Sequence, residues 1–305
     1  MYEVNLYVSS ISMVFVCMNL TILMTNKAFA HQYKILIALN FADAIILIGI
    51  FLEGFTRRAN FSHIIETGKA LVVSSSDCIE IWTVVQVYGD FAMPLIELTM
   101  GVERFAAVMF PSFYRSTFHQ TSITFIVLSF VAAGIATIIP AAVSLIWPTP
   151  NVRYLCGRKA AFGTPFGVAD YAFNVTVITM ALTLNVATCI RAMTIRQSIG
   201  TMRKIKCYTV IAVVSTVLIS IPNLFSIIHA TWFTMPDALM TPAPILACVN
   251  CSLQFFINFS MNEEYRSRFL KLATVGRYKP SSVATVQGTK SSSTHPAHTN
   301  GVVLY

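Results

Sequence analysis

Charge is what this chain has least of. Asp, Glu, Lys and Arg together make up 11% of its 305 residues, against about a quarter in an ordinary soluble domain. Apolar residues make up 55%, and their runs repeatedly reach the roughly 20 residues that cross a bilayer. A water-soluble globule is excluded. Also lacking are a Ser/His/Asp set, a zinc-spaced Cys/His pattern and a Gly-rich phosphate loop, so no enzyme activity and no organic cofactor are expected. Nucleic acid is not expected among the partners. The seven cysteines form neither a CxxC zinc pattern nor a dense disulfide scaffold. No basic stretch precedes the first apolar run, which is long enough to span, so that run is expected to serve as its own insertion signal. Neither an internal repeat nor the mirrored halves of many transporters is present.

What is present reads as an all-α membrane protein with seven spans. They run Val4 to Thr25, Tyr33 to Phe55, Cys78 to Val108, Thr121 to Trp147, Ala169 to Cys189, Cys207 to Trp232 and Ala243 to Phe259. Lys and Arg concentrate on one side, through Lys27, Lys34, Arg104, Arg115, Arg191, Arg196, Arg203, Lys204, Lys206 and Arg266 to Lys279. That side is expected to be cytoplasmic, which leaves the N-terminus extracellular in the plasma membrane. Arg57, Arg58, Lys69, Arg153, Arg158 and Lys159 fall on the other side. The sequon Asn60-Phe61-Ser62 also falls there, in the loop after the second span, and marks Asn60 as a glycosylation acceptor. The spans define one domain over residues 1–272. Residues 273–305, rich in Ser, Thr, Gly and Pro, are expected to form a disordered cytoplasmic tail whose hydroxyls are phosphorylation sites.

The chain is organised around Gly101 to Arg115, where Glu103 and Arg104 end a long apolar segment and Pro111 stops it. An acid and a guanidinium side by side at a membrane lip neutralise each other while the bundle is closed and separate to meet an aqueous partner. An interfacial arginine that merely snorkels to the headgroups is the other reading. Asp43, Asp90 and Glu97 are carboxylates at bilayer depth with few basic residues near them, so they are expected to face the interior. Three such acids cannot all ionise without compensation, which implies either a polar core biased by cation or proton occupancy or a purely structural hydrogen-bond network. The basic residues around the link between the fifth and sixth spans suit anionic lipid headgroups and an acidic partner.

Seven spans with Glu103-Arg104-Phe105 ending the third resemble the rhodopsin-like G-protein-coupled receptors, which carry Asp/Glu-Arg-Tyr there. Asn19 in the first span, Leu39-Asn40-Phe41-Ala42-Asp43 in the second and Pro222 in the sixth match that family in order. Asn258-Phe259-Ser260-Met261-Asn262 stands where it has Asn-Pro-x-x-Tyr, with Phe269 at the spacing of a short amphipathic eighth helix. The proline and tyrosine of that motif, the tryptophan of the fourth helix, the proline of the fifth and the aromatic-Trp pair before Pro222 are all missing. Such erosion, with Ala-Val-x-x-Pro-x-x-Tyr-Arg after Arg104 and Asn-Glu-Glu-Tyr-Arg-Ser-Arg-Phe after the seventh span, resembles the nematode serpentine chemoreceptors.

The resemblance implies a small, chemosensory extracellular ligand bound within the bundle, a heterotrimeric G protein inside, and arrestin on a phosphorylated tail. Glu103, Arg104, Pro222, Asn258 and Asn262 become the coupling switch. A disulfide joins Cys78 to Cys156, and Pro94 absorbs one extra residue between Cys78 and Arg104 as a bulge. A sodium ion sits at Asp43, with Asn19 and Asn258 supplying oxygens, next to Asp90 and Glu97. Gln86, Asp90, Tyr171, Phe225, His229 and Asn250 are the residues expected to line the ligand cavity, which reads as apolar and lightly charged. A neuropeptide receptor of the same fold, and a transporter or ion conduit using the buried acids, are the rivals.

Overall fold

The computed structural model describes residues 2–67, 73–114, 116, 119–152, 156–195, 199–233, 236 and 242–274. The Ser/Thr-rich tail and the loop charges Lys69, Arg115, Arg153 and Arg196 lie outside them. The first span is the helix Tyr2–Met24, the second Lys34–Thr67, the third Ile81–Met109, the fourth His119–Ile146 and the fifth Thr164–Thr194. The sixth runs through Ile199–Ser215, a π-helical turn at Thr216–Ser220 and Ile221–Thr231, and the seventh is Ala243–Met261. Six of these helices are long and apolar enough to cross a membrane on their own composition. The third carries too many polar residues to qualify alone, and it is the one wrapped by the others, with buried residues on all sides from Trp82 to Val108. Together they form a seven-helix transmembrane bundle. Helix Glu263–Ala273 follows as the short eighth helix.

The apolar faces explain the order. Ile50, Leu47, Ile46, Leu39 and Leu36 of the second span and Met93, Ile96 and Met100 of the third are all buried in one continuous core. The fourth span turns Ile123, Val127, Leu128, Val131, Ile135, Ile138 and Ile139 outward, as expected of a helix whose outer face meets lipid. The second and third spans touch through glycine. A Cβ on Gly89 would stand 2.4 Å from Ile46, and one on Gly49 2.9 Å from the Gln86 backbone. Close approach at small residues is how helices gain dispersion contacts where no hydrophobic effect is available.

Three expectations change. The second helix runs twelve residues past Phe55, to Thr67, so Asn60 sits half-buried on a helix rather than in a loop. Cys78 lies in a turn before the third span, not at its first residue. Pro94 lies in unbroken α-helix, and the π turn lies instead in the sixth span, directly before Pro222. That turn is a local underwinding, with hydrogen bonds reaching one residue further than in an α-helix, of the kind that often accompanies function. At the disulfide end of the bundle, Val73 and Val152 form an antiparallel bridge, and Ser75 accepts an amide bond from Thr149. The two connecting segments are thereby held together beside the Cys78–Cys156 disulfide.

Candidate functional site

The polar residues fall into three groups stacked along the third span. Because a helix rises about 1.5 Å per residue, Arg104, Glu97 and Asp90, each seven residues from the next, lie about 10 Å apart along its axis. They do not form one cluster.

At one end, Arg104 lies 3.7 Å from Glu103, and its guanidinium is stacked 4.6 Å above the Tyr208 ring of the sixth span. Glu103 also accepts from the Tyr114 hydroxyl at 3.4 Å. Arg104 Nε is buried with no hydrogen-bond partner among the described residues, so the group holds donor capacity in reserve. A small cavity between Tyr33, Met100, Arg104 and Tyr208 adjoins it. Asn262 caps the eighth helix by accepting from the Tyr265 amide at 3.2 Å and donates to the Tyr33 hydroxyl at 2.9 Å. Arg203 of the sixth span pairs with Glu263 of the eighth helix. Phe269 packs edge-on to Phe255 and Phe259, and Arg268 covers Phe29. Tyr265 is fully buried under this helix, and burial pushes its phenol above the ordinary range. Sequence reasoning missed Tyr33 and Tyr208, since a lone Tyr in an apolar run carries no signal. Tyr114 was visible within Pro-x-x-Tyr-Arg.

Halfway along, Asp43 and Glu97 are wholly buried. The Ser215 hydroxyl, at the start of the π turn, reaches Glu97 Oε1 at 2.5 Å and Asn250 Oδ1 at 3.2 Å, its single proton serving either. Asn250 is thereby tied into this central layer. Cys251 and Gln254 stand beside Asp43, yet both Asp43 oxygens, Glu97 Oε2 and the Gln254 amide have no hydrogen-bond partner among the described residues. Asn19 donates to Asn40 at 2.6 Å, which leaves its own oxygen unpaired. Asn258 turns its oxygen to the Cys207 thiol and its amide to the Gln254 carbonyl. Asn258 is thus a tie between the sixth and seventh spans. No group of three His, Cys, Asp or Glu side chains with metal-holding geometry occurs among the described residues.

At the disulfide end lies the largest departure from expectation. By sequence, Asp90 has few basic neighbours and is assigned both to a polar core with Asp43 and Glu97 and to the lining of the ligand cavity. Instead Arg158, two residues after Cys156, points into the bundle. Its Nη2 stands 2.8 Å from Asp90 Oδ2 and its Nη1 donates to Asp170 Oδ2 at 2.6 Å. Asp170, wholly buried on the fifth span, is held by Asn174, which donates to Oδ1 at 3.2 Å. Tyr171 lies beneath the guanidinium at 5.4 Å. Burial works against the Arg158 charge, but the two carboxylates outweigh it and raise its pKa. Nearby, Gln86 donates to Glu53 at 3.5 Å, and Glu53 pairs with Arg57 at 2.6 Å, which in turn covers Trp82. This end is therefore densely charged, not lightly so. Phe225 and His229 are half-buried on the sixth span past Pro222. In the connecting segment, Asp77 is held below the ordinary carboxylate range by the Ser74 amide and hydroxyl.

A seven-helix bundle with a Glu-Arg pair at one end, unpaired oxygens in the middle and a disulfide-tethered segment at the other has the build of a membrane receptor. The chain belongs to the serpentine-type 7TM GPCR chemoreceptor family Srsx, whose model matches residues 8–273. No curated protein matches it.

Proposed function

We propose that the chain is a plasma-membrane receptor that binds a small extracellular ligand at the disulfide end and activates a heterotrimeric G protein at the Arg104 end. The N-terminus is extracellular and the C-terminus cytoplasmic, in keeping with the Lys and Arg asymmetry. Asn60 is a glycan acceptor, and the tail, once phosphorylated, is an arrestin site. The observation that carries the reading is Arg104. Its ion pair is loose at 3.7 Å, and its buried Nε lacks an acceptor, so an incoming partner that offers backbone carbonyls or a carboxylate gains a charge-assisted bond at little cost.

Asp43 fits a cation such as sodium. Hard, unpaired oxygens from Asp43, Glu97, Gln254 and Asn19 would hold it, and the bound charge would favour the packing in which Glu97 stays tied to the π turn. Ligand binding then moves the sixth span about Pro222, breaks the Ser215–Glu97 bond and uncovers Arg104 from Tyr208. A conduit for protons or solutes is less well supported, because Asp90 is neutralised by Arg158 and does not continue a path from Glu97.

The test is nucleotide exchange on a panel of G proteins, using membranes that hold the wild-type chain or its Arg104→Ala variant, challenged with pooled small molecules and peptides. Wild type alone should stimulate exchange, with both forms equally present at the cell surface. Equal stimulation by both forms, or uptake that depends on Asp43 and Glu97 with no exchange at all, would overturn the reading.

A further inference from the structure

Arg158 is a residue of the connecting segment seated inside the bundle like a ligand. The segment enters at Cys156, whose bond to Cys78 fixes it beside the start of the third span, and runs through the short helix Arg158–Phe162. Ser144 of the fourth span donates to the Ala161 carbonyl and holds that helix down. The chain then turns sharply at Gly163, with φ 89°, a conformation open to glycine, into the fifth span. This tether delivers the planar Arg158 cation, met by acids from two different helices, and with it Lys159, whose ammonium lies 5.2 Å over the same Tyr171 ring.

The receiving side is preformed for that cation. Asp170 is oriented by Asn174, Asp90 is presented by the third span, and Tyr171 supplies an aromatic face. One guanidinium nitrogen donates to Asp170 and the other stands in ion-pair contact with Asp90, whose Oδ2 makes no aligned hydrogen bond among the described residues, so a planar cation spans two separate carboxylates as a point charge does not. Without Arg158, two carboxylates would face each other, with Glu53 close enough to add to the negative field on Asp90. An anionic ligand that drew Arg158 away would leave both bare, whereas a cationic ligand leaves them paired. Asp90 and Arg158 keep 16% and 18% of their side-chain surface exposed, while Asp170 keeps none and Asp90 Oδ2 is covered, so an incoming cation reaches the oxygens as Arg158 leaves them.

We propose that Asp90 and Asp170 form a clamp for a guanidinium-type organic cation, that Arg158 is its built-in occupant, and that the receptor's ligand is a small molecule bearing such a cation, which displaces Arg158 and frees the 156–163 segment. This rests on assigning the disulfide end to the extracellular face. A tethered competitor at high effective concentration weakens the apparent affinity of a free one, so removing it should tighten binding.

The test uses the full chain in lipid nanodiscs with butylguanidine, butylamine and butyrate as probes, reading thermal stabilisation. Arg158→Ala should bind butylguanidine saturably and at least roughly tenfold more tightly than wild type. Butylamine and butyrate should do little, and adding Asp170→Asn should abolish the effect. In wild type, independently of whether Arg158→Ala folds, butylguanidine should raise amide hydrogen exchange over residues 156–163. Stabilisation of wild type by butyrate, an equal response to butylamine, stabilisation that survives Asp170→Asn, or unchanged exchange over 156–163 overturns the clamp. Butylguanidine binding without nucleotide exchange leaves the clamp standing and sinks the coupling reading, while exchange driven by ligands that leave the 156–163 amides unchanged does the reverse.

Discussion

Single side chains in this bundle act by what they leave unsatisfied. Glu97 spends one oxygen on Ser215 and leaves the other bare, so the bond it makes ties the third span to the π turn of the sixth. Interhelical hydrogen bonds of this kind contribute about 0.6–2 kcal/mol in membranes, enough to shift a two-state balance several-fold. Glu97→Leu should therefore raise basal nucleotide exchange, while Glu97→Gln, which still accepts from Ser215, should stay near wild type. A basal rate that is the same in all three would remove Glu97 from the switch. The sequence marked Glu97 and Asp43 correctly as buried acids, because charge in an apolar run is costly and conspicuous. It misjudged Asp90, because the partner of Asp90 comes from a segment almost seventy residues away.

At the scale of an element, the third span owes its central place to composition. It is the one span that does not qualify as membrane-crossing on its own composition, and it is enclosed on all sides, which is how a helix carrying Asp90, Glu97, Glu103 and Arg104 is accommodated in lipid. Gly89 and Gly49 let the second span approach it closely. Gly89→Val should force those helices apart and lower the unfolding temperature in detergent, with a cost of about 1–3 kcal/mol from overpacking. Unchanged stability would mean that Ile46 can move aside. The eighth helix was legible through its amphipathic pattern and Phe269, and the sixth through Pro222. The π turn was not, since nothing in Ser215 to Ser220 differs locally from an ordinary apolar helix.

For the whole molecule, the disulfide closes a 78-residue separation that includes the third and fourth spans. Chain-entropy arguments put such a link at no more than about 4–5 kcal/mol, and less where the unfolded chain is already confined to a bilayer. Cys156→Ser should lower thermal stability, and it should also release Arg158 by loosening its tether. Faster amide exchange over residues 156–163 in Cys156→Ser, with the seven spans still protected, is the expected result. Uniform loss of protection across the bundle would show that the bond supports the whole fold and not that segment.

Composition and spacing by themselves determined seven spans, their order and the Glu103-Arg104 lip, because each is written in local hydropathy or in a short motif, while the cysteine pair came from the family resemblance those motifs carry. Membrane insertion makes those features legible: every apolar run must cross, and every charge within one must be explained. Only the tertiary structure decided which polar groups meet. It placed Asn250 in the central layer, turned Asn258 to Cys207, laid Tyr208 under Arg104 and brought Arg158 between Asp90 and Asp170. Those pairings join residues far apart in the chain, and they depend on helix rotation and depth, which hydropathy does not encode.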